Sequence, residues 1–378
     1  MKIVHIISAL PIGGAEKSLF NLISKDLSHS NEHIVVSLSD MGYFGSKISD
    51  LGVTVISMGL KSAFLSFFIF LRLFRVMNNY KPDIIQGWMY QGNLAAWLCK
   101  TFFYRKAALI WNIRHSLHDI TKEKKMIRLV IFISKLLSKH PNTIIYNSRI
   151  SKQQHEKYKF NNKKSIVIHN GFDTKVFFPS KTAGILVRES LKINKDKLIF
   201  ANFSRYHPMK NHEAFIFSAV RLLKYNPHLH FLMAGDGVDL TNLELVKLIP
   251  SHLLESFSLL GPIDDVSEIM KAIDILCVTS SWGEGLPNVI GESMATGIFC
   301  ISTDVGDSSY IIDKNGKIVR KNNNDALYKA MSDASNLTHE ERNLIGIESR
   351  KRVVDFFSID LMIDNYNALY KKIELNEL

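Results

Sequence analysis

Short apolar, β-branched runs alternate along the chain with longer stretches whose apolar positions recur every three to four residues. The first pattern is that of buried strands and the second that of amphipathic helices. Strands are predicted at 2–8, 33–38, 53–57, 83–88, 109–114, 143–147 and 165–169. A second series is predicted at 198–204, 230–234, 258–261, 275–279, 299–303 and 317–319. Helical periodicity lies between them, for example at 16–27, 93–103, 211–224 and 265–272. Such alternation builds βαβ units, and hence parallel sheets with helices on both faces. Regularity fails at 170–197, which divides the two series. The expected organisation is an N-terminal domain at 1–175, a second at 176–357, and a helix at 358–378 that packs back on the first domain. The polar stretch 321–325 (KNNND) reads as a loop.

The most apolar segment, 63–71 (AFLSFFIFL), ends at Arg72, with Arg75 following, and falls short of the ~20 apolar residues that a spanning helix needs. Its Phe64, Phe67, Phe68 and Leu71 have helical spacing, which serves a core face or a membrane-facing one. The opening run MKIVHIISALPIGGAE breaks at a proline and a glycine pair, the pattern of a first strand and not of a signal peptide. A soluble or peripheral protein is expected. The three cysteines, Cys99, Cys277 and Cys300, are too few and scattered for a disulfide framework or a zinc site, and fit a reducing compartment.

Charge changes the picture more than composition does. The chain has a formal net charge of +11, yet residues 1–175 carry 25 Lys+Arg against 10 Asp+Glu, leaving 22 against 26 for the remainder. Residues 122–164 alone hold 12 basic side chains against Glu123 and Glu156. One basic domain beside a slightly acidic one suggests an anionic partner, nucleic acid or an acidic lipid surface, unless the charge is simply solvated.

Ligands of parallel α/β sheets bind at the carboxyl ends of the strands, so the loops there are where chemistry belongs. After the first strand, Gly13 and Gly14 precede Glu16 at the start of a helix; a turn without side chains lets backbone N–H groups approach an anion, although any tight turn uses such a pair. After 198–204 comes Arg205-Tyr206-His207-Pro208-Met209-Lys210, two cations spaced to fork onto a diphosphate or to face solvent. The most specific stretch follows 275–279: Gly283-Glu284-Gly285-Leu286-Pro287-Asn288-Val289 opens a helix that carries Glu292. Two carboxylates so placed suit hydroxyl groups at two points along one bound molecule, beside free N–H groups of a helix start. His115 and Trp88, each at the end of a first-domain strand, suit a hydrogen bond and a stacking contact to a bound molecule; a loop histidine and a core-edge aromatic are the plainer readings.

The motifs GGAE, IHNGFD at 168–173, FSRYHPMKN at 203–211, AGDG at 234–237 and E-x7-E within GEGLPNVIGESMATG resemble, in order and over nearly the whole chain, the retaining glycosyltransferases of family 4. The resemblance implies the GT-B fold, two Rossmann-like doubly wound domains facing a central cleft. It implies that Arg205 and Lys210 neutralise a donor diphosphate, that Glu284 contacts the transferred sugar and Glu292 the ribose, and that Gly13 and Gly14 close over the phosphate. Glu16 and the stretch Gly285, Leu286, Pro287, Asn288 and Val289 complete the expected donor site. Departures occur at Gly297-Ile298-Phe299 and at Gly306-Asp307, where the family often has Gly-x-Pro and a Gly-Gly followed by Glu. The sequence has no Asp-x-Asp and no close histidine pairing among its 14 histidines, so no metal and no cofactor are expected.

The implied activity is transfer of a sugar from a nucleotide-diphosphate donor, UDP by default, to a polyprenyl diphosphate-linked saccharide. It would proceed with retention, in surface-polysaccharide synthesis such as lipopolysaccharide O-antigen, capsule or exopolysaccharide. The expected setting is the inner face of the cytoplasmic membrane, with an anionic membrane surface and no nucleic acid as partner. A GT-B enzyme acting on a soluble acceptor, such as a nucleotide-sugar epimerase or a synthase, and a non-catalytic basic scaffold are the alternatives.

Overall fold

The structure is a computed structural model, and it describes residues 1–26, 31–60 and 67–377. The first sheet consists of β1 (Lys2–Ile7), β2 (Glu32–Ser37), β3 (Thr54–Ser57), β4 (Ile84–Trp88), β5 (Ala108–Ile113), β6 (Thr143–Tyr146) and β7 (Ser165–Val167). All its pairings are parallel, in the order β3-β2-β1-β4-β5-β6-β7. The second sheet has β8 (Leu198–Phe203), β9 (Leu229–Ala234), β10 (Phe257–Leu259), β11 (Ile275–Val278), β12 (Phe299–Thr303) and β13 (Gly316–Val319). It too is parallel, in the order β10-β9-β8-β11-β12-β13. Every strand predicted from the sequence is present, because continuous apolar runs are what a sheet covered on both faces requires. Strand order reverses between β1 and β4 in one sheet and between β8 and β11 in the other, and such reversals open crevices at the carboxyl edge.

The chain forms two compact units, Met1–Gly171 with Ile359–Leu378, and Phe172–Ser358. The last helix, Ile359–Glu374, therefore belongs to the first unit. The two crossing points touch each other, where Phe172 N–H donates to the Phe357 carbonyl at 2.9 Å. The irregular 170–197 stretch contains the helix Lys181–Ser190, capped by the Ser180 hydroxyl, which accepts from Ala183 N–H. The helix expected at 93–103 starts earlier, at Met89, and ends in a π-turn over Cys99–Phe103. The 321–325 loop is shorter than expected, since a helix begins at Asn324. Phe64 lies outside the described residues, as do the side chains of Phe67 and Phe68. In the helix Phe67–Tyr80, Ile69, Leu73, Val76 and Met77 are buried while Leu71 and Phe74 are exposed.

Each sheet is packed on both faces. In β1, Val4 and Ile6 enter one apolar layer and Ile3 and Ile7 the other. The second layer is unusual in holding polar side chains. Trp88 Nε1 donates to His5 Nδ1 (3.1 Å), which leaves His5 Nε2–H to donate to His33 Nδ1 (2.9 Å) and His33 Nε2–H to donate to Asp26 (2.8 Å). Burial, then the neighbouring His33, hold His5 well below its ordinary pKa. Burial pulls Asp26 upward, but hydrogen bonds from His33, Asn31 and Asn367 outweigh it and lower the net value.

Among the described residues, His5 and His155 in the first unit and His212 and His230 in the second are buried, and burial lowers the pKa of each. Burial brings His155 to about 3, and His212 and His230 to about 4, against an ordinary 6.5. Below pH 6.5 the unfolded chain binds protons that the folded chain refuses, so stability present at neutral pH is lost as pH falls. Each histidine contributes a slope of about 1.4 kcal/mol per pH unit. Urea melts are expected to show each unit weakened by about 4 kcal/mol between pH 7 and pH 5. Replacing His155 with Gln is expected to halve the slope of the first unit; pH-independent melts would show these histidines protonated in the folded chain.

Candidate active site

The crevice residues of the second unit are assembled by three loops. The first runs from the end of β8 through Arg205 to the turn Pro208–Lys210 and the helix His212–Leu223. His207 Nδ1 accepts from Met209 N–H at 3.1 Å, and Asn211, in the left-handed region at φ 52°, caps the helix by accepting from Ala214 N–H. The second loop follows β11. Thr279 donates its hydroxyl to the Lys210 carbonyl at 2.8 Å and Ser281 N–H donates to the Met209 carbonyl at 2.8 Å, so the two loops are tied together. The third follows β12, where Asp307 N–H donates to the Gly285 carbonyl at 2.8 Å.

These ties fix the central contact. Lys210 Nζ donates to Glu284 Oε1 at 2.5 Å, and the Ser280 hydroxyl donates to the same oxygen at 2.7 Å. Glu284 is only 9% exposed, and Glu292 is buried on the helix Asn288–Ala295. Arg205, on the same loop as Lys210, is exposed. The structure thus brings Lys210, Glu284 and the Arg205 loop to one sheet edge. A β-carbon at Gly306, at φ 55°, would fall 2.3 Å from the Gly285 carbonyl oxygen, so this glycine allows the third loop to brace the Glu284 loop. Gly306-Asp307, a departure in sequence, is therefore part of the support. Gly235, at φ 146°, likewise admits the Ser204 carbonyl, and Tyr206 N–H donates to the Asp236 carbonyl at 2.7 Å, placing the AGDG loop against the Arg205 loop.

Of the remaining second-unit residues, Pro287 precedes the helix start, and Asn288 and Val289 lie partly exposed in its first turn. Gly285 is buried beneath the third loop. Leu286 is a core side chain, packed with the apolar layer of Ile290 and Met294, and has only its backbone to offer a ligand.

In the first unit, Gly14 is exposed at the start of the helix Gly14–Asp26. The Glu16 carboxylate folds back so closely that a β-carbon at Gly13 would meet it at 2.3 Å. Burial raises the pKa of Glu16, against its own backbone hydrogen bond and the charge of Arg114. His115 Nε2–H donates to Glu123 Oε1 at 2.9 Å, and the ring remains partly exposed. Trp88 corrects an expectation: it is 0% exposed and sealed in the core by its bond to His5, so its ring cannot lie on a sugar. The cation that the sequence reading passed over is Arg114. It lies over the Trp88 ring at 5.1 Å and donates to Asn170 Oδ1 at 2.5 Å. Its position directly after β5 was the available signal.

A profile of the family described as Glycosyltransferase Family 4 matches residues 12–176, and one described as Glycosyl transferases group 1 matches residues 196–336. The chain belongs to the GT-B glycosyltransferases. It is 27% identical over 215 residues, 56% of this chain and 55% of the relative, to the UDP-Gal:alpha-D-GlcNAc-diphosphoundecaprenol alpha-1,3-galactosyltransferase of Escherichia coli. It is 26% identical over 212 residues, 55% of this chain and 54% of the relative, to the N-acetyl-alpha-D-glucosaminyl L-malate synthase of Bacillus anthracis. The chain spans about half the length of the curated relatives it matches. The crystal structure of Anabaena HepE in complex with UDP shares the fold, with TM-score 0.82 at 17% identity over 98% of this chain and 100% of that one.

Proposed function

We propose that this protein transfers a hexosyl or N-acetylhexosaminyl group from a nucleotide-diphosphate donor, UDP by default, to a polyprenyl diphosphate-linked saccharide. We further infer retention of configuration, no metal or other cofactor, and a place in surface-polysaccharide synthesis such as lipopolysaccharide O-antigen. The observation that carries this reading is the Lys210–Glu284 contact beside exposed Arg205, at the crevice between β8 and β11. It joins a cation for a diphosphate to a carboxylate for a sugar within one residue pair. The donor and acceptor named for the Escherichia coli relative support the same choice.

The chemistry follows from charge. As the anomeric C–O bond to the diphosphate breaks, negative charge grows on the departing oxygens, and Arg205 and Lys210 are placed to stabilise it. The acceptor hydroxyl oxygen bonds to the anomeric carbon on the face the diphosphate leaves, and its proton passes to a departing phosphate oxygen. Glu284 holds the sugar and is not the nucleophile. Release of nucleotide across a panel of UDP-, GDP- and ADP-sugars, with and without EDTA, tests the reading. One preferred donor, indifferent to EDTA and lost with Glu284→Ala, is expected; no donor bound by the folded protein would overturn it.

An anionic lipid surface is proposed as the partner of the basic region. Among the described residues no helix is long and apolar enough to cross a membrane. The helix Lys125–Leu137 instead exposes Met126, Leu129, Phe132 and Leu136 among Lys124, Lys125, Arg128 and Lys135. Apolar side chains inserted between headgroups and cations above them are how an interfacial helix binds at the inner face of a cytoplasmic membrane. Leu129→Glu with Phe132→Glu is expected to weaken sedimentation with phosphatidylglycerol vesicles at least tenfold. Binding unchanged by these substitutions would place the contact elsewhere.

A further inference from the structure

The second unit has a cavity at the edge opposite Arg205, Lys210 and Glu284. It is bounded by Lys195, Asp196, Lys197 and Leu198, which lead into β8, by Asp274 before β11, and by Ile298 before β12. The two ends of the six-residue strand β8 are about 17 Å apart, so this cavity is separate from the candidate active site. Its volume is about 650 Å³, within the range of small-molecule pockets.

Its charge runs against that of the surrounding domain. Six Lys and Arg side chains line it against two carboxylates, although residues 172–358 as a whole hold 21 basic and 23 acidic side chains. Arg188 and Asp274 neutralise each other at 2.8 Å, with Arg188 further bound to the carbonyls of Ala272, Lys195 and Lys197. Lys271 pairs with Glu268. What remains facing the cavity is Lys181, Lys195, Lys197 and Arg342 against Asp196. Lys197 Nζ donates to the Pro227 carbonyl and Arg342 to the Leu337 carbonyl. Arg342 is partly buried, and that burial lowers its pKa while the charges of Asp274 and Glu341 act to raise it.

Two further features add to the cations. The first turns of the helices Lys181–Ser190 and His339–Phe357 both open on the cavity, at Ser180, Lys181 and Gly184 and at His339, Arg342 and Asn343. Their positive dipole ends reinforce the rim charge. The remaining lining is apolar, with Ile185, Met270, Ile273 and Ile298. We propose that this cavity is a second binding site, for a small phosphorylated molecule whose phosphate sits among Lys181, Lys195 and Arg342 and whose uncharged ring lies on the apolar side. A nucleotide has this chemistry. The inference stands apart from the transfer reaction proposed above.

Peptide-resolved hydrogen exchange on the full chain tests it at low ionic strength, with inorganic pyrophosphate and AMP as probes. Both are expected to protect amides within 180–188 and 338–345, AMP at about tenfold lower concentration because it also covers apolar surface. Lys181→Glu with Lys195→Glu, both exposed positions, is expected to abolish that protection while leaving the melting temperature within about 2 °C. Absence of protection by either probe, or protection that survives the double substitution, would overturn the site. AMP no better than pyrophosphate would overturn the role of the apolar side. Any protection within 204–211 or 280–290 reports the candidate active site separately, so the two readings fail independently.

Discussion

Lys210→Ala and Arg205→Ala are expected to lower turnover alike, by about 10²–10³, and to differ sharply in what they do to the fold. The shared loss follows from role: each removes one preorganised cation from the place where the leaving diphosphate gains charge. The difference follows from burial. Lys210 and Glu284 have side chains 20% and 11% exposed, and the Lys210 ammonium is one of two donors to the same Glu284 oxygen. Removing it strands a carboxylate with Ser280 as the remaining donor, at a cost of about 3 kcal/mol, the low end for a broken buried pair because some water reaches it. Arg205 is exposed, and its removal is expected to leave unit stability within about 0.5 kcal/mol. Glu284→Gln in the Lys210→Ala background is expected to restore stability without restoring turnover, since a neutral amide no longer needs a cation but holds the sugar less well. The measurements are kcat with the preferred donor and urea melts of all four proteins. Equal stability of the Lys210 and Arg205 variants would show the Lys210–Glu284 contact to be energetically empty, and full turnover without Lys210 would remove it from the leaving-group site.

How much of this was legible beforehand depends on the range of the interaction. All thirteen strands among the described residues could be read from local apolar runs, since a two-sided parallel sheet imposes its pattern on consecutive residues. The second-unit site was legible for a related reason: Arg205, Lys210 and Glu284 lie on the loops that follow β8 and β11, and Glu292 on the helix that the second loop opens, where topology itself brings loops together. Trp88 was misread because its indole N–H is satisfied by His5, 83 residues away, and nothing local distinguishes a buried tryptophan with a distant partner from one at a ligand edge. Arg114 was passed over for the mirror-image reason, since its partners Asn170 and Tyr366 come from far along the chain. The cavity at the opposite sheet edge was invisible, because it collects residues from five separate stretches that share no motif.

The same long-range polar code makes the last helix indispensable to the first unit, and deletion of residues 359–378 is expected to unfold that unit while leaving the second folded. Ile359, Met362, Ile363, Tyr366, Leu369 and Tyr370 are buried in the apolar layer over β1 and β4. At about 1.5–3 kcal/mol for each large apolar side chain, their gross contribution rivals the entire ~5–15 kcal/mol stability of a typical domain. Hydrogen bonding sharpens the loss. Asn112 donates to the Tyr366 hydroxyl at 2.6 Å, Tyr370 donates to Gln86 at 2.8 Å, and Asn367 donates to Asp26 at 2.8 Å. Without the helix, Asn112, Gln86 and the Asp26–His33–His5 chain would face solvent or an empty layer, each with a polar group whose partner is gone. An apolar surface alone would accept many helices; Asn112 and Gln86 in otherwise apolar strands and the buried Asp26 carboxylate accept this one. Tryptophan emission reports the outcome by unit, since Trp88, Trp97 and Trp111 lie in the first unit and Trp282 in the second. Deletion is expected to shift the emission to the red and leave a single urea transition, that of the second unit. Tyr366→Phe, which keeps the packing and removes the hydroxyl that accepts from Asn112 and, at 3.5 Å, from Arg114, is expected to cost only about 1–2 kcal/mol and to retain both transitions. A truncated chain that keeps both transitions and its blue emission would mean that the first sheet holds its own core, with the last helix merely resting on it.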